Sequence, residues 1–241
     1  MNWILVFPKD KARESVYSIR GDRHTHIHSI LKKGLGDSLK LILLEKGQFW
    51  GRIEFQNQEE TVVSLESPIL YPANDLGLTT VCILPRPQTG KKILHLAGCY
   101  GVDSLFWIPD GKSKEYLTSP TYNQNQSIKY IQEGMMQSGN FRLTKIEIKR
   151  ESDWITKLSP LGNIFAMDRT GQSIRKMDLS FEEKKIFLFG PESGWKTRDY
   201  ESFKDKGIPL ISLSSVNLRT EYAYAALLHE ISVLKTESTR N

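Results

Sequence analysis

The chain has 241 residues, 39% hydrophobic and 25% charged, an ordinary globular composition that excludes wholesale disorder and allows one large core or two modest ones. Lys+Arg outnumber Asp+Glu by 33 to 28, a net charge of +5 that favours polyanionic partners without requiring them. Cys82 and Cys99 sit in no zinc-ligand spacing and read as reduced thiols, no apolar run approaches the ~20 residues of a membrane helix, and the run Met1 to Phe7 is too short for a secretory apolar region, so a cytoplasmic protein is expected.

Short apolar or alternating runs at Trp3 to Phe7, Leu39 to Leu44, Phe49 to Phe55 and Thr61 to Leu65 predict strands. Between the first two, Ile27, Ile30 and Leu31 lie at helical spacing, which predicts a helix over Asp22 to Lys33, stopped by Gly34. Gly36-Asp37 and Lys46-Gly47 read as turns. Small strands with one short helix suggest a compact barrel over residues 1–70.

Pro68, Pro72, Asn74 and Gly77 suit a linker, and a second domain is expected over 75–241. There, strands are predicted at 79–84, 104–108, 142–148, 163–167, 185–189 and 210–213, with helices at 90–100, 123–138, 197–206 and 221–234. The alternation predicts an α/β fold, a parallel sheet with helices on its faces.

Two segments near the C-terminus carry chemistry. Phe187-Leu188-Phe189-Gly190-Pro191-Glu192-Ser193-Gly194-Trp195 places glycines after a strand, where backbone can approach a ligand or simply make a tight turn. Ile208 to Leu213 then leads to Asn217-Leu218-Arg219-Thr220-Glu221-Tyr222-Ala223. No Rossmann fingerprint and no Walker loop occurs.

Together these segments resemble those of the RsmE family, 16S ribosomal RNA uracil-N3 methyltransferases of the knotted SPOUT superfamily. There the first loop reads Gly-Pro-Glu-Gly-Gly and the second Leu-Gly-x-x-Ile-Leu-Arg-Thr-Glu-Thr-Ala. Gly190, Pro191, Glu192 and Gly194 match the first, with Ser193 in place of a glycine; Leu213, Leu218, Arg219, Thr220, Glu221 and Ala223 match the second. The N-terminal half adds His26, Ile27, Leu31, Gly36 and Asp37, similar to the family's pattern. The resemblance implies a PUA-like RNA-binding β-barrel before a SPOUT-type α/β domain with a trefoil knot. It implies S-adenosylmethionine held by Leu188, Gly190, Pro191, Glu192, Gly194, Leu213, Leu218 and Arg219, mainly through backbone and apolar groups. It also implies ribosomal RNA or the small ribosomal subunit as partner and a homodimer formed through the C-terminal domain.

Methylation at uracil N3 requires that nitrogen to lose a proton, so the site must stabilise or accept charge. Arg219 and Glu221 are the candidate catalytic pair, one stabilising the uracil anion and the other accepting the proton or holding a basic group. A structural role is also open: Thr220 capping the last helix, Glu221 complementing its N-terminus and Arg219 held in a salt bridge. Two further segments match less well. In Gln132 to Asn140, Met136 replaces a family glutamate and Asn140 its arginine, and in His95 to Val102 only Gly101 and Val102 of Lys-x-x-Glu-Leu-Gly-Val remain. These departures support a rival reading, an RNA-binding paralogue that keeps the fold without N3 methylation. His24, His26 and His28 lack a completing ligand, so no metal is expected; with Lys9, Lys11, Arg13, Arg20, Arg23, Lys32 and Lys33 they form a basic segment suited to RNA phosphate or to solvent alone.

Overall fold

A computed structural model of the chain describes residues 3–69, 76–177 and 182–238; Pro72 and Asn74 of the expected linker lie outside the described residues. Strands β1 (Trp3–Val6), β2 (Lys11–Arg13), β3 (Val16–Arg20), β4 (Ser38–Leu43), β5 (Gly47–Gln56) and β6 (Glu60–Pro68) form one sheet in the order β1-β4-β5-β6-β3-β2. Only β1 and β4 pair in parallel. The sheet curls around Ile4, Val6, Ile19, Leu41, Ile53 and Val63. The hairpin of β2 and β3 was not expected. Its Val16-Tyr17-Ser18-Ile19-Arg20 buries Val16, Tyr17 and Ile19 while Arg20 reaches out to Glu60, so flanking charge masks a strand whose core positions are apolar.

The helix expected over 22–33 is shorter and irregular. Helix α1 (Asp22–Thr25) passes into a π-helical turn (His26–Ile30), closed by Leu31 N–H donating to His26 O at 2.9 Å. The wider turn rotates the apolar face: Ile27 is buried in the barrel, while Ile30 is 67% exposed.

The second sheet holds β7 (Leu78–Ile83), β8 (Ser104–Ile108), β9 (Lys145–Ile148), β10 (Asn163–Ser173), β11 (Lys185–Phe189) and β12 (Leu210–Ser212). Its order is β12-β10-β11-β7-β8-β9 and every pairing is parallel. From β9 at one edge the chain crosses to β10, returns to insert β11 between β10 and β7, then places β12 at the other edge. Helices α2 (Pro87–Tyr100), α3 (Gln124–Ser138) and α6 (Thr220–Ser238) cover one face; α4 (Trp154–Leu158) and α5 (Thr197–Asp205) cover the other. Alternation within β11 serves both layers, with Phe187 and Phe189 on the first face and Ile186 and Leu188 on the second.

Two expected strands differ in length, each for a local reason. β9 starts at Lys145 and not at Arg142, because the Asn140 side chain takes up both backbone groups of Arg142. β10 runs six residues past Met167, but its pairing with β12 jumps from Met167 to Gln172, so residues 168–171 leave the ladder as an excursion. The curled sheet joins the rest at the C-terminal end of α3: Gln48 Nε2 donates to Gly139 O (2.6 Å), and Glu45 bonds Phe141 and Leu143 (both 2.8 Å). Trp3, Leu5 and Ile42 share a core with α2 and α3.

Candidate functional site

A cavity of about 860 Å³ lies off the carboxyl ends of the four adjacent strands β12, β10, β11 and β7, where open parallel sheets hold ligands. Its walls come from four separate loops. The β11 loop supplies Gly190 to Trp195, the β12 loop Leu213 and Val216 to Thr220, the β10 excursion Asp168 to Thr170, and the start of α2 contributes Arg86 and Lys92. The sequence-expected residues Gly190, Pro191, Glu192, Gly194, Leu213, Leu218, Arg219 and Glu221 all line it. Leu188 does not. It is fully buried on the far face of β11, and Phe189, one residue on, is the wall, because neighbouring strand residues point to opposite faces.

The glycine loop is built by two different requirements. Gly194 has φ +80° with open space where a side chain would stand, and its N–H donates to Pro191 O at 2.8 Å, closing a tight turn. At Gly190 a Cβ would come within 2.9 Å of the Trp195 ring. That indole donates from Nε1 to Met167 O (3.0 Å) and packs edge-on against Phe203, so it ties the β11 loop to the end of β10. Glu192 pairs with Arg86 at 3.1 Å across the rim.

The β10 excursion is pinned by Asp168. One carboxylate oxygen accepts from Thr170 N–H (2.8 Å) and Oγ1 (2.6 Å), the other from Tyr200 Oη (2.7 Å). Burial pushes this carboxyl up, but the Thr170 and Tyr200 bonds and the Arg169 charge outweigh it and hold it below the usual aspartate range. The Asp168 bond, with burial, raises the Tyr200 phenol to about 12. Gly171 ends the excursion where a Cβ would fall 2.4 Å from the Leu210 backbone.

At the start of α6 the carbonyl of Arg219 accepts from Tyr222 and Ala223 N–H, both at 2.9 Å, so the helix begins at Thr220, one residue before the expected start. Arg219 is exposed at the cavity. Glu221 is buried, and its bonded partner is Lys92 Nζ at 3.1 Å instead of Arg219. Desolvation raises the Glu221 carboxyl; its own backbone N–H, the Lys92 ammonium and the Arg219 charge together bring it below the ordinary value. Held as an anion, it suits holding a basic group better than accepting a proton. Lys92, Asp168, Arg169, Thr170 and Tyr200 escaped the sequence reading. Asp168-Arg169-Thr170-Gly171 carries a turn signal after a strand; the Lys92–Glu221 pair spans 129 positions and leaves no local signal.

The two poorly matching segments meet elsewhere, at the seam of α2 and α3. A Cβ on Gly98 would lie 2.1 Å from Ile131 O and one on Gly134 2.0 Å from His95 O, so the helix backbones touch. Asn140 is buried and donates to Gly98 O and Arg142 O (both 2.9 Å) while accepting from Arg142 N–H (3.1 Å). Met135 is core. In the barrel, His24 is buried, 2.8 Å from Thr61 Oγ1 and stacked on His28. Among the described residues no group of three His, Cys, Asp or Glu side chains could hold a metal ion, and no helix is long and apolar enough to cross a membrane.

A family profile described as an RNA methyltransferase domain matches residues 72–232. No curated protein sequence matches the chain. Among solved structures, the chain is similar to a ribosomal RNA small subunit methyltransferase E of Neisseria gonorrhoeae bound to S-adenosyl methionine, with TM-score 0.78, 13% identity and coverage of 96% of this chain and 98% of that one. A methyltransferase of Legionella pneumophila in complex with the same cofactor aligns with TM-score 0.74, 14% identity and coverage of 97% and 98%. An rRNA-methyltransferase of Porphyromonas gingivalis aligns with TM-score 0.73, 19% identity and coverage of 96% and 98%. At these identities the likeness is one of fold.

Proposed function

Because the chain belongs to the RNA methyltransferase domain family, of the RsmE type, we propose that it transfers a methyl group from S-adenosylmethionine to RNA, and in particular to N3 of a uracil in 16S ribosomal RNA. The observation that carries this reading is the cavity at the carboxyl ends of β12, β10, β11 and β7, bordered by the Gly190–Gly194 turn. Its size falls within the roughly 300–1,000 Å³ usual for small-ligand sites. The open space at Gly194, backbone groups of 190–194 and the apolar Phe189, Ile211, Leu213 and Leu218 suit a nucleoside with an amino-acid tail. When bound, the cofactor supplies an electrophilic methyl on a sulfonium.

The chain's own residues do the rest. Arg219 presents a guanidinium suited to stabilising the uracil anion as N3 loses its proton. Glu221, held as an anion, fixes the Lys92 ammonium at the cavity in a position set by α6. The same reading includes a knotted chain path, supported by the insertion of β11 between β10 and β7, with β12 beyond β10. It also includes a homodimer through the C-terminal domain, the small ribosomal subunit as substrate and a cytoplasmic location.

Calorimetry with S-adenosylmethionine is expected to show one site per chain. Methyl transfer to small-subunit RNA or particles, with nucleoside analysis for N3-methyluridine, tests the reaction, and light scattering the dimer. Absence of heat removes the cavity assignment. Cofactor and RNA binding without transfer to either substrate would favour the paralogue reading, which Asn140 supports by standing, buried, where the family has an arginine.

A further inference from the structure

The cations around the cavity fall into two classes. Arg86 is paired with Glu192 and Lys92 with Glu221. Arg169 and Arg219 are exposed and make no salt bridge or side-chain hydrogen bond among the described residues. Arg219 has already been assigned to the uracil. Arg169 stands at the tip of the β10 excursion, and everything around it is fixed: Asp168 holds Thr170 twice and Tyr200 once, Trp195 holds Met167 O, and Gly171 lies against the Leu210 backbone. A strand has left its ladder, and its four residues are braced by the β11 loop, helix α5 and the start of β12, to present one guanidinium without an ion pair at the cavity mouth.

We infer that Arg169 binds a backbone phosphate of the RNA strand beside the target nucleotide. The inference rests on the RNA methyltransferase reading and adds a substrate contact to it. Two anions would suit a guanidinium here, an RNA phosphate or the carboxylate of the cofactor. Exposure favours the phosphate. A carboxylate clamp inside the cavity would take the side chain out of water, whereas phosphodiester contacts made at the surface work through hydrated, salt-screened charge.

The test uses the full chain and two probes, S-adenosylmethionine by calorimetry and a short fluorescent uridine-containing RNA by anisotropy over a range of KCl concentrations. Arg169→Gln is compared with Arg150→Gln, an equal loss of charge just after β9 at the opposite edge of the sheet. Arg169→Gln is expected to weaken RNA binding several-fold and to flatten the plot of log affinity against log salt by about 0.7, the contribution of one single-strand phosphate. Cofactor heat and melting temperature stay as in the parent, and Arg150→Gln changes the slope less. Arg169→Lys, which keeps the charge, is expected to restore the slope.

An unchanged slope in Arg169→Gln overturns the assignment. So does a weakened cofactor with unchanged RNA affinity, which would give Arg169 to the cofactor carboxylate. If the parent chain binds neither probe, the methyltransferase reading falls with it, a result distinct from a parent that binds both and a variant that behaves like it.

Discussion

The cavity loops and the α2–α3 seam are both rich in glycine and both fall on segments that resemble the same family, yet Gly194 of the cavity and the glycines of the seam serve opposite ends. At Gly194 the missing side chain leaves open space beside a left-handed turn; at Gly98 and Gly134 it lets two helix backbones touch. Polar groups divide in the same way. The side chain of the seam's Asn140 makes three hydrogen bonds and is buried, whereas the cavity keeps Arg169 and Arg219 exposed and unpaired. A retained motif therefore says little until its geometry is known: space and uncommitted charge mark a place for ligand, and full contact marks a place for stability.

That contrast predicts a double dissociation. The largest effect is expected for Arg219→Ala, which should slow single-turnover methyl transfer by roughly 2.7–4 kcal/mol, as for a lost oxyanion donor, and leave the melting temperature unchanged because the side chain is exposed and unpaired. An active but less stable variant would refute the catalytic role. Next comes Gly134→Ala. Its methyl would meet His95 O at 2.0 Å and Cys99 N at 2.9 Å, both backbone atoms, so the helices must separate. Stability should fall by about 3 kcal/mol, or ~10 °C in melting temperature for a chain of this size. Cofactor heat per folded molecule should not change. A Gly134→Ala protein that melts normally but loses cofactor would erase the distinction between the two regions.

The alternation of strand and helix in residues 76–238 was legible because each buried strand is a short apolar run and each long helix repeats at helical spacing. The cavity lining was legible where its residues are contiguous, as in Gly190 to Gly194 and Leu218 to Glu221. It was not legible where a contact joins distant positions. Lys92 reaches Glu221 across 129 residues, and Arg219, which the structural reading holds in a salt bridge, makes none among the described residues. Leu188 was assigned to the cofactor by its place in the motif, but strand pleating turns it away from the cavity. The β2–β3 hairpin was hidden by charged flanks, and the π-turn at His26–Ile30 by an apolar spacing that fits an α-helix equally well. Both depend on distant parts of the curled sheet, the hairpin through the pairing of β3 with β6 and the turn through the burial of Ile27, which a local pattern does not encode.

The smallest expected effect separates the regions by pH. Tyr200, in the cavity wall, is raised from 10.0 to about 12 by its bond to Asp168 and by burial; Cys99, in the seam, is raised from 9.0 to about 11 by burial. Each is an acid whose folded-state pKa lies above its unfolded value. Its contribution is therefore fully present below the unfolded pKa and is lost as pH rises through the folded one. The cavity contribution should fade between pH 10 and about 12, and the seam contribution one unit lower, between pH 9 and about 11. Tyr200→Phe keeps the ring against the wall without the phenol, and Cys99→Ala removes the thiol that donates to Gly134 O. Denaturant melts across alkaline pH should show the parent losing stability faster than Tyr200→Phe only in the upper window, and faster than Cys99→Ala already in the lower one. If Tyr200→Phe instead tracks the parent throughout, the phenol does not feel Asp168 as described, and the bracing of the β10 excursion must rest on Thr170, Trp195 and the close approach of Gly171 to Leu210.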